Sequence, residues 1–300
     1  PTATIDRGYT LQPGSTKAGI LHLENDLTLA GKTHSTSGGF IKTGPGTLYL
    51  TYPGPQTLGV NEASIDVVQT LGAFGDSPTA GFQAFTVSNG KVVVGVAGQT
   101  NTVSARMTVG HCTTLAAGAE TTGELEINGG AFICNSTVSL GRANGNNTTA
   151  PGGISSRITI NGGAVTFNLL ALGYNAVPGY SGFNARPICA VNAGTLTVNS
   201  YCNIGEAVGS TAALNVNGGT LRVNGKHANG QAGILLGGPG SAGNGTLTIS
   251  GTGLVYCTNN VALCTANSAT GTLNLNGGTL TASNIVRHAT GTATLRFNGG

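Results

Sequence analysis

The chain has 300 residues, with 51 glycines, 10 prolines, no tryptophan and only 8% charged residues. This composition argues against amphipathic helices, which need long runs of Ala, Glu, Lys and Leu, and it predicts short strands joined by tight turns. The net charge of +3 comes from Lys and Arg residues scattered singly, which argues against a nucleic-acid-binding protein. No run of about 18 apolar residues is present, so the sequence predicts no membrane-spanning segment.

The first clear strand pair in chain order lies at residues 38–51, which read GGFIKTGPGTLYLT. Apolar residues then alternate with polar ones from residue 125 onwards, as in Leu125-Glu126-Ile127 and Leu214-Asn215-Val216. This is the period of a strand with one buried face. Residues 52–100 follow the pattern less well.

One unit recurs along the chain: apolar-x-apolar, Asn-Gly-Gly, then Thr or Ala before a second apolar-x-apolar. Asn and Gly both tolerate positive φ, so this tripeptide predicts a corner between two strands. The predicted turn-forming residues are Asn128, Gly129, Gly130, Asn161, Gly162, Gly163, Asn217, Gly218, Gly219, Asn276, Gly277 and Gly278. Asn-Gly is also the favoured hairpin signal, so antiparallel blades are the competing interpretation.

A third short strand follows each corner and ends in an aliphatic residue, often with Gly after it. Val109-Gly110, Leu140-Gly141 and Leu172-Gly173 are three such marks, spaced by 31 and 32 residues. A hairpin ladder has two strands per period, whereas this period has three. The insertions that lengthen some periods are predicted at residues 142–157, 173–187 and 237–245.

The sequence therefore predicts an all-β fold, a right-handed parallel β-helix (β-solenoid) of roughly ten coils of about 22–33 residues with inserted loops. Residues 1–100 are predicted to form a less regular N-terminal or capping region. Residues 101–300 are predicted to form the regular repeats, continuous with the first region in one elongated domain.

Residues 38–51, together with GTLNLNGGTLT at residues 271–281, resemble the autotransporter-associated β-strand repeat, also called the passenger-associated transport repeat. This resemblance implies a right-handed parallel β-helix exported to the cell exterior, commonly as the stalk of an adhesin or of a very large surface protein. It implies an extracellular or cell-surface location and no particular ligand.

Six cysteines are present, an even number that allows disulfides in an extracellular chain. Cys189 with Cys202 and Cys257 with Cys264 are the candidate bridges. Buried thiols are the alternative, because Cys is a small apolar residue that fits a narrow core. No CxxC pair occurs, so no metal site is predicted.

Polysaccharide lyases and hydrolases on β-helices need clustered carboxylates, and the ten acidic residues here are spread thinly. Glu124 and Glu126 share a strand face, and a solvated outer face explains them better than a catalytic pair does. We predict no catalytic residue, no cofactor and no enzymatic activity.

The two ends of the chain differ in charge: residues 1–80 hold six acids and four bases, and residues 207–300 hold four bases and no acid. With a chain that stops within a repeat, this favours end-to-end stacking into a homo-oligomer or filament. The leading prediction is thus a structural subunit of an extracellular fibre, stalk or surface layer. The alternative is an adhesin or glycan-binding passenger that contacts a glycan or host surface through Tyr174, Tyr180 and Phe183.

Overall fold

The computed structural model describes residues 3–7, 9–11, 18–35, 39–59, 63–64, 81–82, 85–112, 121–143, 153–175, 184–227, 232–238, 243–288 and 290–299. Within these ranges the chain forms strands and turns and no helix. Twenty-seven strands join in one sheet whose pairs are all parallel, and two further short strands pair antiparallel. The prediction of an all-β, right-handed parallel β-helix is confirmed, and the antiparallel-blade alternative does not apply to the main sheet.

The strands, numbered in chain order, stack on three faces. The first face holds β1 (Ala3–Ile5), β4 (Leu27–Leu29), β7 (Thr47–Leu50), β12 (Gly90–Val94), β15 (Thr121–Ile127), β17 (Ile154–Ile160), β19 (Ala185–Val191), β22 (Thr211–Val216), the first parts of β25 (Asn244–Cys257) and β27 (Thr270–Thr281), and β29 (Thr292–Phe297). The second face holds β2 (Tyr9–Leu11), β5 (Thr33–Ser35), β8 (Pro55–Gly59), β13 (Thr100–Val103), the first parts of β16 (Ala131–Ala143) and β18 (Ala164–Asn175), β20 (Thr195–Val198), β23 (Thr220–Val223) and the ends of β25 and β27. The third face holds β3 (Ala18–His22), β6 (Gly39–Thr43), β11 (Phe85–Val87), β14 (Met107–Cys112), the ends of β16 and β18, β21 (Cys202–Ile204), β24 (Ile234–Leu236), β26 (Val261–Leu263) and β28 (Ile285–Arg287). The antiparallel pair is β9 (Ala63–Ser64) with β10 (Gly81–Phe82).

Coil length varies because loops of different size join the same strands. Leu273 pairs with Leu295, a step of 22 residues, whereas Leu125 pairs with Ile158, a step of 33. The step from Leu48 to its partner Val92 is 44 residues and exceeds the expected range, since an insertion separates β8 from β11. The insertions after β16 and β18 are shorter than predicted, because these strands continue to residues 143 and 175.

The core is a set of apolar columns running along the stack. On the first face Leu125, Ile158, Cys189, Leu214 and Leu247 pair in register, and each is at most 1% exposed. One coil alone would leave these side chains against water, so it is the stacking of coils that removes them from solvent. The alternation predicted from sequence places every second strand residue in this core.

The Asn-Gly-Gly corners use their residues differently from the prediction. In three of the four predicted corners the second glycine takes the left-handed conformation, with φ of 64° at Gly130, 81° at Gly163 and 68° at Gly278, whereas Gly219 has no positive φ. A Cβ atom on Gly163 would lie 2.4 Å from the carbonyl oxygen of Gly130, so the corner also needs the space. No asparagine among the described residues has positive φ. The Asn side chains form a ladder instead: Nδ2 of Asn161 donates to Oδ1 of Asn128 at 2.9 Å, and the next coils repeat this bond.

Pairing continues across residue 100, where Thr100 pairs with Pro55 in one neighbouring coil and with Ala131 in the other. The division of the chain at that point stays a prediction.

Candidate functional site

A column of left-handed glycines ends the third face. These glycines are the residues that follow the aliphatic marks in the sequence, with φ values between 68° and 78°: Gly110, Gly141, Gly173, Gly205 and Gly237. At Gly205 a Cβ atom would lie 2.4 Å from the carbonyl of Asn244, so a side chain is excluded there. The consequence is a second column, formed by the residue after each glycine.

This post-glycine column brings together four side chains that lie about 32 residues apart in sequence. His111 pairs with Arg142 and Arg142 pairs with Tyr174 in the parallel register. Glu206 follows, and its amide donates to the carbonyl oxygen of Leu172. The guanidinium carbon of Arg142 lies 5.1 Å from the centre of the Tyr174 ring, which is a cation–π contact.

A cavity of about 170 Å³ opens beside this column on the outer side of the third face. Its walls come from four successive coils, so residues distant in sequence meet there. The lining residues are Arg106, Thr137, Ser139, Arg142, Leu169, Ala171, Tyr174, Tyr201, Asn203 and Glu206. We call this the third-face cavity.

Two residues that line the third-face cavity each have a buried acceptor oxygen without a hydrogen-bond partner among the described residues: Oδ1 of Asn203 and Oε2 of Glu206. Asn203 is 2% exposed, and its amide hydrogen-bonds to the Glu206 carboxyl. Burial raises the pKa of Glu206 to about 7, and the bond from Asn203 opposes this rise. An unpaired buried acceptor costs free energy, so both oxygens favour a donor entering the cavity.

His111 is the first residue of the post-glycine column in chain order, and its burial suits a structural role. It is 3% exposed, and burial, followed by the positive charge of Arg142, lowers the pKa of its imidazole to about 3. The ring is therefore neutral at any physiological pH.

An apolar cluster bounds the third-face cavity towards the C-terminal coils. Leu235 pairs with Asn203 in the next coil and is fully buried on the outer side of the sheet, where Tyr201, Ala232 and Ala262 pack against it. The row thus runs Ser139, Ala171, Asn203 and Leu235 in successive coils, and the bulky apolar side chain of Leu235 limits the cavity to the coils before it.

A second, more open groove lies on the outer side of the first face. Glu124, Arg157 and Ile188 pair across it in successive coils. Nearby, Lys91 forms an ion pair with Glu126, and this bond lowers the pKa of the Glu126 carboxyl. Glu126 is thus held in a salt bridge on the outer face, and Glu124 pairs with Arg157 of the next coil.

Of the predicted ligand contacts, Tyr174 lines the third-face cavity. Tyr180 and Phe183 lie outside the described residues. Sequence reasoning missed Arg106, Arg142, Tyr201, Asn203 and Glu206. The aliphatic-Gly mark could have found Arg142 and Glu206, because the residue after it stacks with Tyr174 along the column.

The four cysteines of the predicted bridges are buried free thiols in the structure. Cys189 lies on the first face and Cys202 on the third, and both side chains belong to the apolar core. Burial raises the pKa of the Cys189 thiol to about 12. Neither predicted bridge, Cys189–Cys202 or Cys257–Cys264, is formed.

Within the described ranges, no group of three His, Cys, Asp or Glu side chains is placed to hold a metal ion. The same part of the chain has no helix that is long and apolar enough to cross a membrane.

Comparison with known proteins finds a similarity over most of the chain. The Adhesin BmaC autotransporter of Brucella suis biovar 1 (strain 1330) is 27% identical over 264 residues, which are 87% of this chain and 7% of that protein. The chain thus spans a small fraction of the length of this relative. No family model matches the chain, and no solved structure matches it. A likeness to an autotransporter adhesin agrees with a cell-surface or extracellular location.

Proposed function

We propose that this chain is a non-enzymatic segment of a cell-surface adhesin passenger, which holds a ligand-binding surface away from the cell. The observation that carries the proposal is the similarity of 87% of the chain to part of an autotransporter adhesin. Sequence alone favours a structural fibre subunit, and the comparison favours its alternative, the adhesin. End-to-end stacking into a filament stays a prediction.

The parallel β-helix suits this role because each coil repeats the last at a fixed spacing of about 4.8 Å. Side chains in one column, such as Arg142 and Tyr174, are therefore held at set distances by the ladder hydrogen bonds. Little conformational entropy is lost when such a surface meets its ligand.

The placement of carboxylates supports a non-enzymatic role. Glycoside hydrolysis by the common route uses a pair of carboxyl groups across the scissile bond. Glu126 is committed to Lys91, and Glu206 is the one carboxyl that lines the third-face cavity among the described residues.

Adhesion is tested by coupling the purified chain to fluorescent beads and measuring their retention on human epithelial monolayers under flow. Beads coated with serum albumin are the control for passive sticking. We expect retention well above this control, and a loss of retention when periodate has oxidised the cell-surface glycans. Retention equal to the albumin beads on every monolayer would contradict the proposal.

A further inference from the structure

We propose that the third-face cavity binds one ring of an acidic sugar, with the sugar carboxylate facing Arg106 and Arg142 and its hydroxyls on Asn203 and Glu206. This inference rests on the proposed adhesive function and names the class of ligand for it.

The charge of the cavity selects an anion. Among the described residues that line it, Arg106 and Arg142 carry guanidinium groups and Glu206 carries the one carboxyl. Among the described lining residues the formal charge is therefore positive whether or not Glu206 is ionised. A carboxylate matches the planar fork of a guanidinium, which binds it through paired N–H donors.

The unpaired acceptors select a ligand with hydroxyl groups. Oδ1 of Asn203 and Oε2 of Glu206 are buried and without a partner in the described residues, so each needs a donor. A simple carboxylate such as acetate would supply acceptors to the arginines and no donor to these oxygens. A sugar acid supplies both, because its ring carries hydroxyls next to the carboxylate.

The shape of the cavity fits a ring lying against aromatic side chains. Tyr174 and Tyr201 line it from different coils, and the apolar face of an aromatic ring can pack against the C–H groups of a pyranose. The volume of about 170 Å³ accommodates a single ring. The apolar cluster around Leu235 blocks extension into the next coil, so the rest of a glycan would leave through the open side.

Two kinds of acidic sugar share this chemistry, hexuronic acids and sialic acids. Saturation-transfer NMR with glucuronic acid and with N-acetylneuraminic acid, followed by titration for Kd, distinguishes them, and glucose is the neutral control. We expect a saturable signal from at least one acid and a signal at least about tenfold weaker from glucose, since a charged hydrogen bond is lost.

Two variants locate the site. Arg106→Gln removes an exposed guanidinium and is expected to raise Kd about tenfold. Asn203→Leu is expected to abolish binding, because it removes the amide. The variant should fold, because the next coil already carries a leucine, Leu235, at the paired position. The matched control is Arg157→Gln, which removes another exposed guanidinium, from the first-face groove, and should leave Kd unchanged.

The outcomes separate this inference from the adhesive function. The inference is overturned if no acid binds more tightly than glucose, or if Arg157→Gln weakens binding while Arg106→Gln and a folded Asn203→Leu do not. Beads that adhere while no acidic sugar binds would leave adhesion standing with another ligand. Sugar binding without bead adhesion would support the cavity as a sugar site and contradict the adhesin role. Circular dichroism of each variant confirms that it folds.

Discussion

Glu206 lies where the third face ends. One oxygen of its carboxyl is buried, and the carboxyl also accepts a hydrogen bond from the Asn203 amide. Burial disfavours the charged form, and the pKa of the carboxyl rises to about 7. The group thus changes charge within the range of pH met at a cell surface. In the unfolded chain the same carboxyl titrates near 4.5.

This difference predicts that stability falls as pH rises from about 4.5 to about 7. Between these values the folded chain binds more protons than the unfolded chain, so the free energy of unfolding decreases with pH. The loss should amount to about 1–3 kcal/mol, after allowance for partial exposure. Urea denaturation across this range measures it, with Glu206→Gln as the comparison. A slope that persists unchanged in Glu206→Gln would assign the effect to other groups.

At the scale of elements, the asparagine ladder adds side-chain bonds at corners where backbone amides also bond between coils, as from Asn161 to Ile127. Asn128, Asn161, Asn192 and Asn217 come from four successive coils, and each amide bonds to the next at 2.8–2.9 Å. These side chains are near solvent, so each bond contributes modestly. Their common effect is to hold the corners of the first and second faces in line.

We expect Asn161→Ala to lower the free energy of unfolding by about 1 kcal/mol, because it removes bonds to both neighbours. Asn192→Ala should behave similarly, and the double variant should cost about 0.5 kcal/mol less than the two single costs together, since they share one bond. Chemical denaturation measures this cycle. Asn224→Ala is the control, because that exposed side chain makes no hydrogen bond within the described residues. Strict additivity would show that the ladder bond contributes nothing.

The Asn-Gly-Gly repeat allows the positions of these corners to be predicted, but it does not predict which hydrogen bonds their side chains form. Asn-Gly-Gly marks the step from first to second face at Asn161, and the aliphatic-Gly mark gives the end of the third face at Gly173. The role of Asn161 was not predictable, because a side-chain bond to another coil depends on register across 33 residues. The same reason hid Asn203 and Glu206, which meet Arg142 only once three coils have stacked.

At the scale of the whole molecule, contacts are confined to neighbouring coils. Phe132 and Phe167 illustrate this: their rings meet edge to face at 6.3 Å across one coil step, and both are fully buried. In such an array stability is a sum of coil and interface contributions, so damage at one coil should spread only partway. The insertion between Leu48 and Val92 could not be located from sequence, because a loop of any length between β8 and β11 still allows Leu48 to pair with Val92.

Phe167→Ala should therefore cost about 3–5 kcal/mol and act locally. We expect hydrogen exchange, measured by mass spectrometry, to increase most in β16, β18 and β20 and to return towards the wild-type rate in distant coils. Leu221→Ala is the matched control, and it should move the region of fast exchange to β20, β23 and β25. An equal increase along the entire chain in both variants would indicate a single cooperative unit.

The asparagine ladder also gives the β-helix a row of aligned side-chain dipoles. Every amide from Asn217 down to Asn128 donates towards the N-terminal coils, so their dipoles point the same way and add. The row ends where Asn128 donates to the carboxylate of Glu126, which is paired with Lys91. The positive ends of the dipoles therefore face a fixed negative charge. Because each amide orients the next, that one anion sets the orientation of the polar row over four coils of the stack.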